Sequence, residues 1–393
     1  MTILGLFLNK EIRTGANRRY LELMEGLAEK GNNVIVVMNS LLHYDAASFT
    51  KISIPVSYIR KGFPPASFLF KLKANNISLL VKEAIRNKSG QRIDWILIHG
   101  DMHLNLAVKL KDLLHSQLFF AYRCNDILRS KYIRESGCLH PVEYAKALFF
   151  ETIYKAREKK VALYADMVTF QSTSDEQDWI SRNKEPTIQR IVIPGNIGLP
   201  RCSEEWKNAN KSETCKDLLY VGVLSLSKGL FQVFSILKML KERGLHDIKL
   251  TVLGKNDSIE SIIAMIRKME IEDSIHFAGY TLPFPYLAES SILVFPSYYD
   301  AFPDTVLEAL HAGCPVIASN RGGIPDILKN PELMFHPKDV KGMADLLERC
   351  IRSKDEYHRI REICSNRADY FRFDWCDRWN SAMMDNLQRK EPR

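Results

Sequence analysis

Several signals are missing from this 393-residue sequence, and each absence removes a class of protein. No uninterrupted apolar run approaches the roughly 20 residues that a membrane-spanning helix needs. The amino terminus enters MTILGLFLN directly, with no basic stretch ahead of an apolar one. Neither a membrane span nor a secretory signal is therefore expected, and the chain reads as cytoplasmic. The eight cysteines (124, 138, 202, 215, 314, 350, 364 and 376) contain no C-x-x-C pair and have no histidine at zinc-finger spacing. Free thiols in a reducing compartment, without a metal site, are the expectation. There is no G-x-G-x-x-G, which removes the fingerprint of nicotinamide and flavin enzymes. No recognised nucleic-acid motif is present either, so nucleic acid is not an expected partner.

What is present suffices for two domains, since 46% of the residues are hydrophobic and the length exceeds that of one ordinary core. The formal charge is +8, with +9 in residues 1–200 and −1 in the rest. A cationic first half points to an anionic membrane surface or a phosphate-bearing acceptor. Within it, residues 60–73 alternate Arg60, Lys61, Lys71 and Lys73 with Phe63, Phe68, Leu69 and Phe70. Such a mixture suits a bilayer interface, and equally a surface loop whose aromatics fold back on the core.

Short apolar runs alternate with amphipathic stretches along both halves. Thr2 to Leu8, Val34 to Met38, Asp94 to His99, Leu118 to Tyr122, Ala165 to Gln171 and Ile191 to Pro194 have strand character. So do Leu218 to Val221, Ile248 to Leu253 and Ser274 to Phe277. Asn17 to Lys30 spaces Tyr20, Leu23, Met24 and Leu27 helically, the basic stretch Arg129 to Tyr164 reads as largely helical, and Leu230 to Arg243 and Ser258 to Met269 are helices. This alternation predicts an α/β protein with a doubly wound, Rossmann-like organisation in each half. Polar, unpatterned Arg201 to Lys216 is the linker candidate.

The most informative stretch is Ser291 to Leu328, SILVFPSYYDAFPDTVLEALHAGCPVIASNRGGIPDIL. Ile292 to Phe295 reads as a strand, Pro303 can open a helix, Gly313 stops it, Pro315 to Ala318 is a second strand, and Gly322-Gly323 makes a turn. Taken singly, Asp300 would be a helix cap and Glu308 an ordinary helix-face acid. Together they place two carboxylates around a helix start whose positive end attracts phosphate. Ligand hydroxyls would satisfy a carboxylate set among apolar neighbours.

The string closely resembles the signature of the family 4 glycosyltransferases of the GT-B fold, through Asp300, Phe302, Pro303, Leu307, Glu308, Ala309, Gly313, Pro315, Val316, Gly322 and Gly323. The resemblance implies that Glu308 holds the ribose of a nucleotide-sugar, that Asp300 faces the sugar, and that the backbone of Ala301, Phe302, Pro303, Asp304 and Thr305 lines the diphosphate. Asp300 replaces the family's usual Glu, a shorter arm that leaves the sugar open. GVLSLSKG, from Gly222 to Gly229, resembles the family's phosphate-clamping loop. Lys228 stands in place there, but Val223 occupies the position of a second cation, so either Arg321 or Arg13 compensates or the donor is held more weakly. Gly15 matches the glycine loop that approaches the donor phosphate, although alone it reads as a turn residue. Gly254, Gly279 and Tyr280 fall where the family holds the base. His99 matches a histidine near the acceptor and is otherwise structural, while Asn125 replaces a histidine near the donor sugar.

The resemblance thus implies two doubly wound, Rossmann-like domains facing a central cleft, an acceptor-binding domain over residues 1–205 and a nucleotide-sugar-binding domain over 206–372, with a helix over 373–393 that crosses back to the first. The expected activity is retaining, metal-independent transfer from a UDP- or GDP-sugar to a hydroxyl of a glycan or lipid-linked acceptor, in cell-envelope polysaccharide, lipopolysaccharide or glycolipid synthesis. Catalysis would rest on Asp300, Lys228, His99 and Asn125, with no bound cofactor and with peripheral contact on the inner face of the membrane. A GT-B epimerase or phosphorylase, or a nucleotide-sugar-binding protein without catalysis, are the alternatives.

Overall fold

The computed structural model describes residues 1–12, 15–45, 48–55, 66–88, 91–100, 102–137, 139–183, 188–196, 213–255 and 259–390, without the side chains of 66–75, 88, 389 and 390. The linker candidate up to residue 212, Arg13, and the side chains of the basic aromatic segment 60–73 lie outside this set.

The first domain runs β1 (Thr2–Phe7), α1 (Gly15–Glu29), β2 (Asn33–Asn39), β3 (Thr50–Ile54), α2 (Ala66–Lys88), β4 (Trp95–His99) and α3 (Leu104–Leu114). It continues with β5 (Gln117–Tyr122), α4 (Asp126–Glu135), α5 (Pro141–Tyr164), β6 (Met167–Phe170), α6 (Thr173–Arg182) and β7 (Gln189–Val192). Its seven strands pair in parallel in the order β3-β2-β1-β4-β5-β6-β7. Helices cover both faces, which is why β1, β4 and β6 are apolar almost throughout rather than alternating. Leu4, Leu6, Ile96 and Ile98 join one core layer, and Ile3, Phe7, Trp95 and Leu97 the other.

The second domain runs β8 (Asp217–Val221), α7 (Leu230–Glu242), β9 (Lys249–Leu253), α8 (Ile259–Lys268), β10 (Ile275–Gly279), α9 (Phe284–Glu289) and β11 (Ile292–Phe295). Then follow α10 (Asp304–His311), β12 (Val316–Ser319), α11 (Ile324–Leu328), β13 (Met334–Phe335), α12 (Val340–Arg352) and α13 (Lys354–Ala368). The parallel strand order is β10-β9-β8-β11-β12-β13. The last helix, α14 (Trp375–Lys390), returns to the first domain. There Trp375, Trp379 and Met383 enter the core layer behind β1, and Trp379 lies 5.1 Å from Phe119.

Strand order reverses between β1 and β4 in one sheet and between β8 and β11 in the other. Crevices at such reversals, outside the carboxyl ends of the strands, are where open α/β sheets take ligands. Three features depart from the sequence expectation. β3 was not expected, α2 begins within the segment read only as basic and aromatic, and the helical stretch 129–164 is broken into α4 and α5 around Gly137, whose φ is +75°.

Candidate functional site

Two loops of the second domain are joined at the carboxyl edge of its sheet. After β8 a short turn ends in Gly229, and Tyr298 N, in the loop after β11, donates to Ser227 O at 3.0 Å. The contact brings Lys228 Nζ within 2.5 Å of Asp300 Oδ2. Both side chains remain partly exposed, at 29% and 23%, so the pair adds little to stability. Its consequence is placement: a cation and an acid share the mouth of the cleft.

Pro303 caps α10 with φ −70°, and Ala301 and Phe302 are buried beneath the helix start. Asp304 and Thr305 form the first turn, where N–H groups lack intrahelical partners and the helix end is positive. Glu308 follows one turn later, half-buried between Leu307 and Ala309. The Gly322-Gly323 turn closes under this loop, with Gly323 N donating to Asp300 O at 2.9 Å. Across the cleft, Gly15 opens α1, and a Cβ there would lie 3.7 Å from Asp304 Oδ2. The starts of α1 and α10 therefore converge, one from each domain.

Farther along the edge, Gly222 N donates to Leu253 O at 3.0 Å and Gly254 N to Gly279 O at 2.8 Å. A Cβ on Gly254 would stand 1.8 Å from Gly222 O, so backbone forms this floor. Beside it Tyr280 is 87% exposed, an open ring of the kind on which a base can stack. Val223 is also exposed and leaves one cation fewer at this edge. Arg321 does not make good that charge: it lies over the Tyr132 ring at 4.2 Å, 3.6 Å from Glu135, at the domain interface.

The first-domain wall differs from expectation. Asn125 is fully buried as the cap of α4, with Oδ1 accepting from Leu128 N at 2.9 Å and Nδ2 donating to Asp178 at 2.6 Å. Its amide is committed to holding α4 and α6, which corrects the reading that it faces the donor sugar. His99 ends β4 with its ring stacked on Tyr20 at 4.6 Å. Burial first, then the charge of Arg123 and the neighbouring His103, lowers its pKa to about 3, so the imidazole is neutral at pH 7 and a poor general base. Its Nδ1 and Arg123 Nε are buried without a hydrogen-bond partner among the described residues.

Arg123, Arg19 and Asp175 were not singled out in the sequence. Arg19 is 4.1 Å above the Trp375 ring of α14, with Arg123 6.0 Å from the same ring. Burial pulls the Arg123 pKa down to about 10, opposed by the Asp304 carboxylate, and the guanidinium stays charged. A cavity of about 100 Å³ adjoins it, lined by Phe120, Tyr122, Ile127, Tyr154 and Arg157 among others. For Arg123 the available signal was an arginine directly after a buried strand; Arg19 and Asp175 lie inside helices, and the partners that give them meaning are too far away in sequence to be read.

Residues 203–367 match the family model of glycosyl transferases group 1. One relative, the N-acetylgalactosamine-N,N'-diacetylbacillosaminyl-diphospho-undecaprenol 4-alpha-N-acetylgalactosaminyltransferase of Campylobacter jejuni, is 21% identical over 379 residues, 94% of each chain. Among solved structures, sucrose-phosphate synthase from Thermosynechococcus elongatus superposes with a TM-score of 0.75 at 18% identity, covering 99% of both chains. The Anabaena protein HepE, solved in complex with UDP-glucose, has a TM-score of 0.67 at 16% identity, again over 99% of both. The fold is GT-B. The chain is a glycosyltransferase, and its second domain carries the matching region.

Proposed function

We propose that the enzyme transfers a sugar, with retention of anomeric configuration, from a UDP- or GDP-sugar to a hydroxyl of a glycan or lipid-linked acceptor in cell-envelope glycan synthesis. The Lys228–Asp300 pair at the converging starts of α1 and α10 carries this reading. A nucleoside diphosphate needs amides and a cation at its phosphates, and the sugar beyond needs an acid for its hydroxyls. Asp300 takes that position, Glu308 takes the ribose, and Tyr280 stacks on the base above Gly254 and Gly279. The departing diphosphate accepts the acceptor's proton on the same face, so no protein base is required. Lys228 and the helix starts supply positive field at that leaving group, and transfer proceeds without a metal.

The acceptor enters from the first domain. Arg123 Nε and His99 Nδ1 are available there to a hydroxyl. On the same domain α5 presents Val142, Tyr144, Leu148 and Phe149 to solvent and also carries Lys146, Lys155, Lys159 and Lys160. That composition favours a lipid-linked acceptor reached from an anionic surface, and the Campylobacter relative's undecaprenol substrate agrees with it.

The direct test is a panel of UDP- and GDP-sugars with acceptor lipid in anionic or neutral vesicles, with and without a strong chelator. Nucleoside diphosphate released only when acceptor is added, most with anionic vesicles and equally in chelator, is the expected result. Binding without release would mark a non-catalytic protein, and rescue by magnesium after chelation would overturn the metal-free mechanism. Glu308→Gln keeps shape but removes charge, and should weaken nucleotide binding by about 1.5–3 kcal/mol, the worth of a charge-assisted hydrogen bond. Calorimetry with free nucleoside diphosphate measures it, and an unchanged Kd takes Glu308 out of the site.

A further inference from the structure

Tyr299 belongs to the second domain and immediately precedes Asp300, yet its ring is buried with Leu128 and against Cys124 and Tyr132 of the first. Its hydroxyl accepts from Asn125 N at 2.8 Å and donates to the Asp175 carboxylate at 3.0 and 3.1 Å. Asn125 and Asp175 are both fully buried. Ser297 Oγ donates to Tyr299 O at 3.1 Å and fixes the backbone on the other side. One second-domain oxygen thus completes a polar network otherwise built by the caps of α4 and α6. A second crossing lies near it: Thr173 N and Oγ1 donate to Asp326, at 2.6 and 2.9 Å.

We propose that Tyr299 is a positioning residue for glycosyl transfer: its hydroxyl, seated between Asn125 and Asp175, holds Asp300 at the first-domain wall when the two domains are closed. The inference rests on the reading that Asp300 faces the donor sugar. A buried carboxylate without donors is costly, and Tyr299 supplies one to Asp175 from the second domain, which holds the tyrosine in this seat. Consecutive Cα atoms lie only about 3.8 Å apart across a trans peptide, which leaves little freedom between the held Tyr299 and the acid that follows it.

The network also titrates. Desolvation raises the Asp175 pKa to about 7, aided by the charge of Asp178 and opposed by hydrogen bonds from Tyr299, Ser172 and Asn125. Cys124 and Tyr122 also face it, and both are held neutral at pH 7, their pKa values raised mainly by burial. Because burial is what raises this pKa, the buried arrangement takes up a proton relative to one in which Asp175 meets water. The Asp175 contribution to closure is present at low pH and is lost as pH rises through about 7.

Tyr299→Phe keeps the ring and removes the oxygen. The expected result is a loss of about tenfold or more in kcat, with the Kd for free nucleoside diphosphate within about twofold of wild type. Asp175→Asn keeps an acceptor oxygen but no charge; it should retain most of kcat and flatten the decline of rate that wild type shows as pH rises from about 4 to about 7. Unchanged kcat in Tyr299→Phe, beside an Asp300→Ala variant that is inactive, overturns the proposal. So does a parallel loss of kcat, nucleotide binding and thermal stability, which marks a purely structural tyrosine. If Asp300→Ala is fully active, the assignment of Asp300 to the sugar fails instead, and that outcome is read separately.

Discussion

Lys228→Ala is expected to lower kcat/KM by about 10²–10³-fold, the loss seen when one preorganised donor to a developing oxyanion is removed. The size follows from how few cations the proposed phosphate site has. Val223 stands where the resemblance implies a second, and Arg321 is occupied with Tyr132 and Glu135. Lys228 is set by local geometry, because a Cβ on Gly229 would come within 2.2 Å of Pro296 O, so the turn lies directly on the loop that bears Asp300. Removing the ammonium also leaves Asp300 without its 2.5 Å partner and turns an acid near the leaving diphosphate from neutralised to repulsive. Asp300→Ala, by contrast, should leave the binding of free nucleoside diphosphate almost unchanged while abolishing transfer. Steady-state kinetics and calorimetry on both variants separate the roles. A Lys228→Ala enzyme within tenfold of wild type would mean that another group neutralises the phosphates, with Arg123 the first to examine.

The fold class was legible because buried parallel strands are continuous apolar runs, and β1, β2, β4 and β11 announce themselves as such. β3 was not: TKISI is five residues at the sheet's edge, with only Ile52 and Ile54 buried. α2 was absorbed into a basic aromatic segment because its charge and its phenylalanines drew the reading toward a surface role. The loop from Asp300 to Glu308 could be read since proline and glycine punctuate it at close range. What lies 124 residues apart, as Tyr299 and Asp175 do, leaves no local trace. Asn125 illustrates the limit: a single position suggested a hydroxyl partner, whereas the fold spends the same amide on Leu128 N and Asp178. His99 was seen at the right edge of the sheet, but only its packing on Tyr20 and beside Arg123 tells that it is neutral.

Gly322→Ala should reduce kcat/KM by more than about 100-fold, the order of loss that a misplacement of roughly 1 Å can cause in an active site. Gly322 has φ +60°, and a Cβ built there would lie 1.9 Å from Asp300 O, 2.8 Å from its carbonyl carbon and 3.1 Å from its N. These are backbone atoms and cannot swing aside as a flexible side chain would. To admit a methyl group the Asp300 peptide must move, which stretches the 2.9 Å bond from Gly323 N and shifts the carboxylate away from Lys228. The backbone conformation adds about 1–3 kcal/mol of strain for a non-glycine residue. Strain and displacement can be told apart with Gly244→Ala, since Gly244 has φ +85° but nothing within 4 Å of a Cβ. That variant should share the fall in melting temperature and keep its activity. Equal activity losses in the two would mean that lowered stability alone explains Gly322→Ala, and a fully active Gly322→Ala would show that the glycine turn does not set the position of Asp300.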